Sequence, residues 1–179
     1  ANIFDGYWQN ITYIENIRSL IIKDFKLNIK ISPKAVAYIN EVKNNKNSVF
    51  IGFRLGDYTK KKLVKKYGNL NTNYFDSAIL SMNKKLNNPT YYIFSNDIKK
   101  VKTLKLFESI KHIFIDDLNN PQEELEIMRS CSNAIIMNST FHWWGAFLIE
   151  NKNKVIISPQ NWFVNGWKDN IIPENWIKI

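Results

Sequence analysis

The chain has 179 residues, enough for one ordinary domain and too few for two full ones. A hydrophobic content of 45% fits a folded core and excludes a wholly disordered chain, and one cysteine, Cys131, with two distant histidines excludes an internal disulfide and a zinc-ligand spacing. The formal net charge of +9 leaves three kinds of anionic partner: nucleic acid, a membrane surface or a polyanionic small substrate.

Ile11–Phe25 and Pro33–Asn44 are expected as two leading helices within residues 1–47. Five strand-length apolar runs follow: Ser48–Phe53, Tyr91–Phe94, His112–Ile115, Asn133–Met137 and Lys154–Ile157. They show little strict alternation, as strands buried on both faces do. Between them, Phe75, Ala78, Ile79, Met82 and Leu86 predict a helix over Tyr74–Leu86. Ile98–Ile110 and Glu123–Arg129 also read as helices, the latter entered by Asn120-Pro121, and Phe141–Ile149 is an aromatic helix directly after the fourth strand. Cys131, at the end of the Glu123–Arg129 pattern, reads as a buried, inert thiol. The alternation implies right-handed crossovers and a Rossmann-like parallel sheet flanked by helices over residues 48–179. The aromatic tail, with Trp162, Phe163, Trp167 and Trp176, is expected to fold back over that domain. No signal-peptide pattern opens the chain and no apolar run nears the ~20 residues of a membrane helix, so the expectation is a soluble, cytoplasmic protein.

Ligands of open parallel sheets bind beyond the carboxyl ends of the strands. Three polar corners fall on that edge. In Phe53-Arg54-Leu55-Gly56-Asp57-Tyr58, Arg54 can fork onto phosphate oxygens and stabilise charge on a departing diphosphate, or simply pair with Asp57. In Phe94-Ser95-Asn96-Asp97, Ser95 or Asp97 can cap a helix, or Asp97 can accept hydrogen bonds from a base or ribose. In Asn138-Ser139-Thr140-Phe141, a strand feeds a helix through residues with free N–H groups and hydroxyls, a seat for phosphate or again a cap. Together they suggest an enzyme that holds a nucleoside diphosphate.

Other candidates carry less. Trp143 and Trp144 read as core, and His142 as a bystander that meets a sugar only if exposed. Asp116-Asp117 invites Mg²⁺ but precedes a turn, and nothing else in that loop completes a metal site. Lys60–Lys66 reads as a solvated lysine face, with a membrane surface or donor steering as the alternative. Nucleic acid fits poorly, because aromatics and arginines do not interleave there. No Gly-rich Walker or dinucleotide loop is present among the six glycines.

At these corners the sequence resembles the bacterial α-1,2-fucosyltransferases of glycosyltransferase family 11. The family's His-x-Arg-Arg-Gly-Asp-Tyr motif falls on Gly52 to Tyr58, its Phe-Ser-Asp-Asp segment on Phe94 to Asp97, and its Asn-Ser-Ser/Thr-Phe-Ser-Trp-Trp segment on Asn138 to Trp144. A Leu-x-x-Met-x-x-Cys helix is matched by Leu125, Met128 and Cys131, and Gly6-Tyr7-Trp8-Gln9 and Ile172-Pro173-Glu174-Asn175-Trp176 look like further landmarks. Gly52 stands where the family has histidine, Leu55 where it has a second arginine, and Asn96 where it has aspartate. The first two departures bear on turnover and on the choice of donor sugar.

The resemblance implies the C-terminal, donor-binding half of a two-domain GT-B glycosyltransferase, with residues 1–47 leading from the domain junction. A preceding domain with a Gly-rich segment would complete the acceptor site. It also implies inverting transfer of L-fucose from GDP-β-L-fucose to the 2-hydroxyl of a galactoside, as in capsule or lipopolysaccharide synthesis, with no metal required. Arg54 would be catalytic. Arg54, Asp57, Ser95, Asn96, Asp97, Asn138, Ser139, Thr140 and Phe141 would bind the donor. Implied partners are GDP-fucose and a galactoside glycan, not nucleic acid; the positive charge leaves peripheral attachment to the inner membrane open. Two other classes remain: a non-catalytic nucleotide-sugar-binding module lacking the acceptor domain, and a basic RNA-binding α/β domain.

Overall fold

The structure is a computed structural model that describes residues 9–55, 72–118, 120–163 and 170–179. Asp57, the Lys60–Lys66 run, the Gly6-Tyr7-Trp8 landmark and Trp167 lie outside the described residues. Six parallel strands form one sheet: β1 (Ser48–Phe53), β2 (Thr90–Ser95), β3 (His112–Phe114), β4 (Asn133–Ile136), β5 (Ile156–Ser158) and β6 (Ile177–Lys178). Their order across the sheet is β3-β2-β1-β4-β5-β6. The chain starts in the middle, winds outward to β3, then returns to β4 on the other side of β1 and winds outward again. That is the doubly wound α/β arrangement, with its reversal of direction between β1 and β4.

Six α-helices are described: α1 (Arg18–Asp24), α2 (Pro33–Asn44), α3 (Thr72–Lys85), α4 (Ile98–Val101), α5 (Pro121–Ser130) and α6 (Thr140–Phe147). Local chemistry explains several starts. Ser32 Oγ accepts the Ala35 N–H at 3.2 Å while Pro33 opens α2, and Asn120 Oδ1 accepts the Gln122 N–H at 2.9 Å while Pro121 opens α5. Cys131 caps the end of α5, is buried, and has its thiol pKa pushed up by that burial. Two expected helices are shorter than their apolar patterns. Ile11–Phe25 begins as 3-10 turns at Ile11–Tyr13 and Glu15–Ile17, and only then becomes α1. Ile98–Ile110 is α4 followed by a 3-10 turn at Lys105–Phe107. There the Thr103 hydroxyl donates to the Lys100 carbonyl at 2.8 Å, taking an acceptor at the helix end.

Every residue of β1 and β4 is buried, as continuous apolar runs in a parallel sheet require. Successive side chains still go to opposite faces. Val49, Ile51 and Phe53 join Phe75, Ala78 and Met82 of α3, while Phe50 joins Ile39 and Val42 of α2, Met128 of α5 and Trp143 and Phe147 of α6. Gly52 therefore faces the α6 side. The tail packs on that same side: Trp162, Ile171, Ile172 and Trp176 are buried there, and the Trp143 indole N–H donates to the Ile171 carbonyl at 2.9 Å. Among the described residues, no helix is long and apolar enough to cross a membrane.

Candidate functional site

The three corners meet at the carboxyl edge where the strand order reverses. Phe53 is paired with Ser95 and Gly52 with Ile136, so Arg54, Asn96 and Asn138 each emerge one to two residues beyond paired positions. Side-chain bonds join them further. The Leu55 N–H donates to Asn96 Oδ1 at 2.8 Å, tying the end of β1 to the loop after β2. The Arg54 N–H donates to Met137 Sδ at 3.2 Å, tying it to the end of β4. Asn138 is buried and its amide donates to the Trp162 carbonyl at 3.0 Å, which anchors the third corner to the tail. Arg54 is half-buried at the centre of this edge.

The corners differ in what they leave for a ligand. Asp97 is a helix cap: its Oδ1 accepts the Lys100 N–H at 3.2 Å, and its own N–H donates to Ser95 Oγ at 3.0 Å. Asn96 is exposed, with Oδ1 engaged by Leu55. At α6, by contrast, Ser139 occupies the N-cap position but places no side-chain hydrogen bond on the first turn. Its backbone is extended, its side chain is buried, and Thr140 beside it is exposed. A hydroxyl at Ser139 was expected to reach outward; the buried position corrects that, leaving Thr140 and the backbone of the first turn as the available groups. Phe141 is half-buried. A cavity of about 270 Å³ opens next to Thr140, walled by Asn10, Trp144 and Ile171.

The aromatic residues after Thr140 are largely structural, as expected. Trp143 stacks on Phe147 with centroids 4.8 Å apart, and Trp144 stacks on Phe25 at 5.0 Å. Asp116 and Asp117 separate rather than converge: Asp116 pairs with Lys102 at 2.6 Å and Asp117, at φ 56°, with Lys34 at 3.3 Å. Among the described residues, no group of three or more metal-ligating side chains is present. Leu55, which stands in place of an arginine, is buried in the core under α3.

His142 is not exposed, the condition under which it was expected to meet a sugar. It is 4% exposed, and its ring lies against Gly52. A Cβ on Gly52 would fall 2.4 Å from Cγ, 2.5 Å from Nδ1 and 2.6 Å from Cδ2, so the imidazole face occupies the space a side chain at 52 would need. Burial, and next the Arg54 charge, lower its pKa to about 3 from the usual 6.5, which keeps the ring neutral. Nδ1 is buried and finds no hydrogen-bond partner among the described residues, a state that costs about 1–3 kcal/mol. A glycine in the middle of a fully buried strand was the available signal, since such a residue marks close approach of another group.

Comparison with known proteins agrees with this architecture. Residues 1–179 match the family described as glycosyl transferase family 11. The chain is 28% identical over 183 residues to the O-antigen biosynthesis glycosyltransferase WbnK of Escherichia coli, covering 97% of this chain and 59% of that protein. It is 28% identical over 182 residues to an alpha-1,2-colitosyltransferase of Escherichia coli, covering 98% and 62%. It is 23% identical over 157 residues to the galactoside 2-alpha-L-fucosyltransferase Sec1 of Mus musculus, covering 81% and 41%. The chain thus spans about three fifths of the two bacterial relatives. With a parallel α/β sheet and a polar edge at its point of reversal, the chain belongs to glycosyl transferase family 11.

Proposed function

We infer that this chain binds the nucleoside-diphosphate-sugar donor of an α-1,2-glycosyl transfer, and that its donor is GDP-fucose. The observation that carries this reading is the junction of β1 and β4. There Arg54 stands beside the start of α6, a helix on whose first turn the N-cap residue Ser139 places no side-chain hydrogen bond. An arginine and a helix N-terminus together are suited to a dianionic diphosphate, and both act on charge that grows as GDP departs. Transfer would invert the anomeric centre and place the sugar on the 2-hydroxyl of a galactoside. Thr140 would hold a phosphate oxygen. Asp97, already engaged as a cap, retains one carboxylate oxygen for a ribose or base. Asn96 and Asn138 serve mainly to hold the corners together.

Family membership supports the reaction class, and relatives named for fucose and for colitose transfer make the sugar the part most in need of test. The acceptor side is assigned to the portion of the longer relatives that this chain does not span, in a GT-B arrangement of two domains. On that view residues 1–47 lead from the domain junction. A second reading, a nucleotide-sugar-binding module without catalysis, is favoured by Leu55, which lies buried in the core where the resemblance places a second arginine.

Calorimetric titration with GDP, followed by a radiolabelled transfer assay to lactose, separates them. The expected result is GDP binding by the wild-type chain, and in Arg54→Ala a loss of most transfer, about 3 kcal/mol of transition-state stabilisation, in line with loss of a charge-stabilising donor. Absence of heat with the wild-type chain would refute the donor site. Binding without transfer would support the module.

A further inference from the structure

We propose that His142 is a further phosphate-contacting residue of this corner, seated on Gly52, with Nδ1–H donating to a diphosphate oxygen when the donor is bound. This rests on the reading of the β1–β4 junction as a phosphate seat and adds a residue to it.

Three observations carry it. First, the imidazole and any side chain at residue 52 compete for one volume, because a Cβ there would meet three ring atoms at 2.4–2.6 Å. The glycine is a seat for this ring in particular. Second, the ring lies within the first turn of α6, three residues after the Ser139 N-cap, and close enough to Arg54 to feel its charge. It therefore belongs to one of the two anion-attracting groups of the site and feels the charge of the other. Third, Nδ1 has no partner among the described residues although the residue is only 4% exposed. A space-filling role would be met at lower cost by a wholly apolar ring. A buried polar atom lacking a partner, beside an arginine and a helix start, is explained when the ligand supplies the acceptor.

The motif comparison fits this geometry. The histidine that family 11 carries on the strand is absent at Gly52, and a histidine appears instead at 142, where the family motif has serine. The imidazole reaches the same space from the opposite element.

Two near-isosteric replacements separate contact from packing. His142→Asn keeps a side-chain N–H close to the place of Nδ1 but loses the ring. His142→Phe keeps a ring and loses both nitrogens. GDP titration should show His142→Asn within about threefold of wild type and His142→Phe weakened about tenfold or more, the loss of one good hydrogen bond to a charged oxygen. Gly52→Ala should weaken GDP binding in the wild-type background and do so far less when combined with His142→Ser, which vacates the slot. Urea unfolding of each variant shows whether it is folded. Wild-type affinity in His142→Phe, or equal losses in His142→Phe and His142→Asn, would overturn the contact. Failure of the wild-type chain to bind GDP would instead overturn the phosphate seat itself, and the contact with it.

Discussion

At the scale of single residues, the pair Gly52 and His142 shows how a departure from a motif acquires a physical meaning. From the sequence alone, Gly52 is a missing side chain and His142 an uncommitted one. In the fold each accounts for the other, since the ring fills the volume the strand leaves open. Burial also gives the ring a measurable signature. The unfolded chain binds a proton at His142 as pH drops below 6.5, whereas the folded chain resists until about 3, so folding stability is lost as pH falls through that window. Between pH 6.5 and 5 the loss should be about 2 kcal/mol. Glu124 acts in the opposite sense: burial pushes its carboxyl up to about 7, so the stability it contributes is complete below 4.5 and is lost as pH rises through about 7. Urea unfolding at pH 6.5 and pH 5 should therefore be compared between wild type and His142→Phe. The variant should lack the acid loss that His142 causes while keeping the gain that Glu124 brings on acidification. Identical pH dependence in the two proteins would show that the ring is not held neutral.

At the scale of elements, the strands were legible and the helix ends less so. Ser48–Phe53 is β1 to the residue, because a run of apolar and aromatic residues with no polar interruption has one stable place, the middle of a parallel sheet. Pro33–Asn44 was equally clear, opened by Ser32-Pro33. The pattern of Ile98–Ile110 misled, because apolar spacing reports which face is buried and not whether the backbone stays α-helical. After Val101, Leu104 and Phe107 still pack inward on a 3-10 turn. β6 was not foreseen; two residues are too few to show a pattern. Nor was Arg18, which finishes α6 from a distance. Its guanidinium donates to the Phe147 carbonyl at 2.9 Å and the Ile149 carbonyl at 2.7 Å, and lies 5.4 Å from the Phe147 ring centroid. It satisfies acceptors that the helix end leaves unpaired and complements the negative end of the helix. Arg18→Ala should cost about 1–2 kcal/mol in urea unfolding at pH 7. A change below a few tenths would mean that water replaces the arginine without loss.

At the scale of the whole molecule, the doubly wound order turns separate corners into one edge. The sequence showed that Arg54, Asp97 and Thr140 each follow a strand, but not which strands are neighbours. That depended on the reversal after β3, which sets β4 against β1 and so brings Arg54 beside the start of α6. Side-chain burial decided the rest: Ser139 turned inward and Thr140 outward, a choice that depends on how α6 packs and is invisible in Asn-Ser-Thr. The opposite edge offers a direct contrast. A concave surface there is lined by Lys46 and Lys111 with Tyr92 and Glu41, so its excess of one positive charge would also attract an anion to the amino ends of the strands. Crystals of the chain grown with GDP distinguish the two edges by the position of the phosphorus atoms. The diphosphate is predicted between the Arg54 guanidinium and the first-turn N–H groups of α6; a diphosphate bound between Lys46 and Lys111 would contradict the assignment.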